Sequence, residues 1–211
     1  MKAIHALAVA AGMLAAAPAF SATTIDFEGV TSFASIGDYY NGGTDGAGAS
    51  GPNLGVSFSA AALALSNDEL GPYFSHAPSP GSVMFATDAS ALMNVGSGFA
   101  DEVSFYYSAS SSAFDVVTIY AGIDGSGAVL GSFSLSQNAQ LGGCSDTAFC
   151  NWQRISLSFG GVAHSMTLGG NAGNVAFDNV TISAVPEAPV SAMLALGGIG
   201  MLFWARRQRQ A

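Results

Sequence analysis

The chain has 211 residues, with 14 acidic against 5 basic side chains and a formal net charge of −9; half of it is hydrophobic and only 9% is charged. Such a chain is repelled by nucleic-acid phosphates and anionic lipid surfaces, which excludes nucleic acid as a partner. With the two apolar ends set aside, the remaining length suits one domain around one substantial core.

Met1-Lys2 forms a small positive opening, Ala6 to Ala17 is an unbroken apolar stretch, and small residues follow at Ala19, Ser21 and Ala22. This is the order of a secretory signal peptide, which engages the Sec translocon and is then removed. We assign residues 1–22 to it. Cuts after Ala19 or Ser21 place small residues at both critical positions, whereas a cut after Ala22 puts Phe20 at a disfavoured one.

Residues 23–184 form the mature domain. Arg154 is its only basic side chain, and Glu187 is the only one of the 14 acids outside it, so its net charge is −12. That acidity keeps an exported protein soluble and makes it a candidate for cations. Short alternating runs separated by Gly, Asn, Asp and Ser predict an all-β domain. Strands are expected near 24–27, 56–59, 83–86, 102–109, 115–121, 129–135, 154–159, 165–168 and 175–183. Their number and spacing predict a two-sheet antiparallel sandwich of jelly-roll type. Val103, Phe105 and Tyr107 share one face, with Ser104 and Tyr106 opposite. Val117 and Ile119 share another face, with Val116, Thr118 and Tyr120 opposite. Asp124-Gly125-Ser126-Gly127 reads as a tight turn. Residues 63–70 fit a short helix or an edge strand. The glycine-rich stretch from Tyr39 to Asn53 is a long surface loop, either loose or folded over a sheet; it lacks the lysine of a phosphate loop.

Cys144 and Cys150 are an even, close pair in an exported chain, which reads as a disulfide. Their spacing is not that of a redox motif, and no neighbouring histidine completes a zinc set. His76 and His164 lie in small-residue loops, and no hydrolase motif is present. The tyrosines offer sugar-stacking surfaces, with Tyr106 and Tyr120 suited to a platform on an outer face.

Asp26-Phe27-Glu28-Gly29 and Phe177-Asp178-Asn179-Val180 stand at opposite ends of the domain. Alternation points Ile25 and Phe27 inward and leaves Asp26, Glu28 and Asp178 facing out. These signatures resemble those of jelly-roll carbohydrate-binding modules and galactose-binding-like domains, whose first and last strands run together. The resemblance implies a structural calcium ion held by Asp26, Glu28 and Asp178, with Asn41, Asp38 and Asp45 as further oxygen donors. Calcium suits mixed oxygen ligands at extracellular sites. Solvated carboxylates on a strand edge are the other reading.

The end of the chain runs Val185-Pro186-Glu187-Ala188-Pro189, then an uncharged apolar segment over residues 190–205, then Arg206, Arg207 and Arg209 in the tail 206–211. As a helix that segment spans about 24 Å, slightly less than a bilayer core, and the arginines hold its end in the cytoplasm. Motif, apolar helix and basic tail together resemble the PEP-CTERM sorting signal, covering residues 185–211, although Ala188 separates Glu187 from Pro189. The resemblance implies recognition by an exosortase-type membrane protease, a transient inner-membrane tether, and delivery to the outer envelope or the extracellular polysaccharide. The expected role is a non-catalytic structural or adhesive one with weak glycan binding. The alternative is a secreted polysaccharide hydrolase.

Overall fold

The computed structural model describes residues 21–169 and 172–185. The signal peptide assigned above falls outside them but for Ser21 and Ala22, and Pro186, Glu187, Pro189, the apolar segment and the three arginines lie wholly outside. Among the described residues no helix is long and apolar enough to cross a membrane.

The domain is all-β. Its strands are β1 (Ser21–Ile25), β2 (Val56–Phe58), β3 (Ala62–Ser66), β4 (Ser82–Ala86), β5 (Leu92–Ala109), β6 (Ala113–Tyr120), β7 (Val129–Leu135), β8 (Gln153–Thr167) and β9 (Val175–Ala184), and Leu141–Gly143 makes a 3-10 turn. All pairings are antiparallel, in the order β3-β4-β9-β5-β8-β6-β7, with β1 added to β9 and β2 to β5. Of the stretch 63–70 left open between helix and edge strand, residues 63–66 belong to β3, at one end of that order, and residues 67–70 lie beyond it.

Two long strands turn this ladder into layers. β5 pairs with β8 twice, Leu92–Asn94 against Ser165–Thr167 and Phe99–Tyr107 against Gln153–Ala163, with register breaks around Gly96–Gly98 and Asp101. Gly98 (φ 84°), Asp101 (φ 68°) and Gly161 (φ 90°) take the left-handed conformations that let the strands bend there. One apolar cluster gathers Val56, Met93, Ile119 and Met166 from one part of the sheet and Ile25, Met84, Phe105 and Phe177 from the other. The sheet therefore folds back over a shared core, as a sandwich does. Each of these large side chains contributes about 1.5–3 kcal/mol on burial.

The structure alters four expectations. The two strands predicted at 154–159 and 165–168 are one continuous β8, and β5 begins ten residues earlier than its predicted start at Glu102. Gly96-Ser97-Gly98 has the composition of a turn but forms a bend within a strand. Val116 is buried together with Val117, because Asp115 (φ 49°) forms a bulge that brings both inward. Asp178 does not face solvent; it is 0% exposed. A second apolar cluster of Leu65, Phe74, Val83, Phe149 and Ala176 covers the outer side of β9, under segments from residues 67–80 and 144–152.

The loop from Tyr39 to Asn53 is packed. Bridges Asn41–Asn53 and Thr44–Ser50 close it, and Tyr39 and Tyr40 enter the core. Asp45, 5% exposed, accepts the N–H groups of Thr31 (2.8 Å), Ala47 (2.9 Å) and Ala49 (2.9 Å). Burial alone would raise its pKa, but these donors hold it down at about 2.

Candidate functional site

The three carboxylates grouped by sequence do meet at one pole. Ile25 of β1 pairs with Val180 of β9, so Asp26 and Glu28 leave β1 beside Asp178. The segment Ser79-Pro80-Gly81-Ser82 runs between them. Ser79 N donates to Asp178 Oδ2 (2.7 Å), Asn179 N donates to Asp178 Oδ1 (2.7 Å), and the Ser79 hydroxyl also meets Oδ1. Glu28 Oε1 accepts Gly81 N (2.8 Å) and Ser82 N (3.2 Å). Asp26 Oδ1 accepts Glu28 N (3.2 Å) and the Tyr40 hydroxyl (3.3 Å). Burial beside Asp26 raises the Tyr40 phenol above its ordinary value.

Burial pushes the pKa of Asp178 up to about 6 against the pull of the Ser79 and Asn179 donors, and the negative charge of Glu28 adds to the rise. The hydrogen count points the same way. Ser79 has one hydroxyl hydrogen and two acceptors, Asp178 Oδ1 and the Asp26 carbonyl at 2.9 Å. A protonated Asp178 can donate to Ser79 Oγ and free that hydrogen for Asp26. The set engages both Asp178 oxygens, Asp26 Oδ1 and Glu28 Oε1 with N–H and O–H donors. It fastens the first and last strands to the 79–82 segment through hydrogen bonds.

The disulfide Cys144–Cys150 is formed, with a Cα–Cα distance of 5.9 Å. A groove of about 650 Å³ runs beside it, between His76, Leu141, Asp146 and Trp152. Trp152 Nε1 donates to Ser75 O (2.9 Å) and fixes the segment that carries His76. His76 Nδ1 lies 3.9 Å and Asp146 Oδ1 lies 3.1 Å from Cys144 Sγ. Among the described residues these three are the grouping whose geometry could hold a metal. A disulfide sulfur is not a thiolate, however, which leaves only His76 and Asp146 as ligands. The sequence carries no signal for this approach, because His76 comes from 68 residues upstream.

A second groove, of about 460 Å³, lies between the 41–53 loop, the Ser57–Asn94 pairing of β2 and β5, and the turn after β6. Its walls carry Asn41, Asn53, Ser57, Asn94, Ser97 and Ile123, with no charged side chain among its lining residues. Asn94 and Asp124 clamp each other, Asn94 Nδ2 donating to Asp124 Oδ1 (2.7 Å) and Asp124 N to Asn94 Oδ1 (2.9 Å). Ser165 Oγ accepts Gly125 N (3.0 Å) and donates to Gly122 O (2.5 Å), pinning the same turn to β8. The sequence singled out Asn41 only as an oxygen donor for calcium and Asp124 only as a turn residue, and it gave no signal for Asn53 or Asn94; only the fold brings the three asparagines together.

The remaining leads separate. Tyr106 pairs with Arg154 and Asp178, Tyr120 with Val129 and Ser165, and no ring contact joins the two among the described residues, so they form no platform. His164 Nδ1 rests 3.3 Å from the Val95 carbonyl.

No protein-family model matches the chain, and no curated protein sequence matches it significantly. Among solved structures, the cleaved K2 adhesin domain of Lys-gingipain aligns at 14% identity and a TM-score of 0.46, over 77% of this chain and 99% of that one. A family 6 carbohydrate-binding module aligns at 16% identity and a TM-score of 0.41, over 78% and 94%. The CBM22-1 xylan-binding domain from Paenibacillus barcinonensis aligns at 13% identity and a TM-score of 0.40, over 82% and 100%. None of these likenesses is strong enough to carry a function to this chain.

Proposed function

We propose that this protein is a non-catalytic structural or adhesive component of an extracellular polysaccharide matrix, exported through the Sec translocon and delivered by exosortase-type sorting. The closed Cys144–Cys150 bond carries the export half of this reading, since such bonds persist in oxidising compartments. The terminal sequences supply the rest: the apolar leader in front, and Val185, Pro186, Glu187 and Pro189 followed by an apolar segment and Arg206, Arg207 and Arg209 behind. A non-catalytic role is supported by how the carboxylates are used. Asp45, Glu28 and Asp178 are committed to backbone N–H groups that hold loops in place.

The test is the intact mass of the chain made in a host that carries an exosortase, compared with a host that lacks one. We expect a secreted species missing both the leader and the segment beyond the motif, and retention of the tail where the exosortase is absent. A full-length product in the cytosol with free thiols would overturn the proposal. Release of reducing sugar from polysaccharide by the purified protein would favour the hydrolase instead.

A further inference from the structure

We propose that the groove between Asn41, Asn53 and Asn94 is a binding site for a neutral polysaccharide chain, an assignment that rests on the matrix role above. Its volume of about 460 Å³ is that of a small-molecule site rather than a packing defect. Its chemistry is that of amides and hydroxyls. A carboxamide offers both donors and an acceptor, which matches a sugar hydroxyl that needs one of each. Among the described residues, the carboxamide of Asn41 and the Nδ2 of Asn53 have no hydrogen-bond partner, while Asn53 Oδ1 accepts Gly55 N at 3.3 Å. Two donor groups thus stand toward the groove beside Ser57 and Ser97. Asn94 is held rigid by Asp124, so part of the wall is set before any ligand arrives.

The floor is bare backbone. A Cβ built at Gly55 or at Gly96 meets nothing within 4 Å, so both glycines open onto free space where a flat ring can approach the main chain. Ile123, 53% exposed, gives the rim an apolar side for the C–H face of a pyranose. Charge selects the class of glycan. The lining has no cation to pair with a uronate or sulfate, and the mature domain's net charge of −12 repels both. With no aromatic ring in the lining, each chain segment is held weakly, as suits a matrix component that meets many identical repeats.

Gly96 gives a clean probe. Its φ lies outside the left-handed region and its Cβ direction is clear, so Gly96→Val fills the groove without straining the fold. Affinity electrophoresis of the mature domain in gels containing hydroxyethylcellulose, galactomannan or dextran, with alginate as the anionic comparator, reads binding directly. We expect retardation by at least one neutral polymer and none by alginate. Gly96→Val should weaken that retardation at least tenfold with an unchanged melting temperature, and Asn41→Ala/Asn53→Ala should weaken it as well. If the wild type is retarded but both variants are retarded equally, the groove is wrong while glycan binding by the domain stands. If the wild type is retarded by no neutral polymer, or by alginate alone, the groove and the glycan-binding part of the matrix role fall together.

Discussion

Asp178 makes the domain more stable in mild acid than at neutrality. Its carboxyl is buried, and its folded pKa of about 6 lies above its ordinary value of 3.8. A raised folded pKa means that the fold prefers the protonated form. The resulting stability is complete below the unfolded pKa and is lost as pH rises through the folded one. With one pKa unit worth about 1.4 kcal/mol, the loss between pH 4 and pH 7 is about 2–3 kcal/mol. In a domain of this size that corresponds to roughly 5–10 °C in melting temperature. Asp178→Asn mimics the protonated acid. It gives up the bond from Asn179 N, a fixed cost at every pH, but has nothing to ionise. Melting curves of both proteins in matched buffers from pH 4 to pH 7 should therefore diverge, with the wild type falling relative to the variant by that amount. The other titrating groups cancel in the comparison. Parallel curves across this range would refute the assignment of a protonated Asp178 to the fold.

Asp45 behaves with the opposite sign: its depressed folded pKa gives stability that is present above pH 4 and lost as pH falls toward 2. Asp45→Ala strands the N–H groups of Thr31, Ala47 and Ala49 and should cost about 2–4 kcal/mol in urea unfolding, with Asp45→Asn costing less. Opening Cys144–Cys150 with a reductant releases only a short loop, so the melting temperature should drop by an amount equivalent to about 2 kcal/mol. Gly51→Ala places a Cβ 2.3 Å from the Tyr39 carbonyl oxygen, whereas Gly48→Ala meets no atom within 4 Å and bears only the strain of φ 97°. Calorimetry should show Gly51→Ala as the more damaging of the two.

Alternation made much of the fold legible. Val103, Phe105 and Tyr107 line the core as their spacing requires, and β7 occupies the span expected for it. What failed was whatever depended on contacts distant in sequence. Asp178 was placed outward because the alternation of β9 says so, and that holds for the strand alone. Phe74 and Phe149, far away in the chain, pack with Ala176 on the outer side of β9, and Ser79, equally distant, binds the Asp178 carboxylate. The Gly96-Ser97-Gly98 bend could not be told from a turn, because glycine permits both and only pairing with β8 decides. The pairing of β1 with β9 was anticipated, and with it the meeting of Asp26, Glu28 and Asp178. The asparagine groove was not, since Asn41 and Asn53 taken alone are ordinary loop residues and Asn94 lies in a strand that was expected to start only at Glu102.

β9 is the last strand of the domain in the chain, yet it joins β1, β4 and β5. Until residues 175–184 emerge, the earliest strand has no edge to lie on and Phe105 has no Phe177 to pack against. Assembly of this half of the molecule therefore waits on the last strand of the domain, which β1, β4 and β5 all need as a partner.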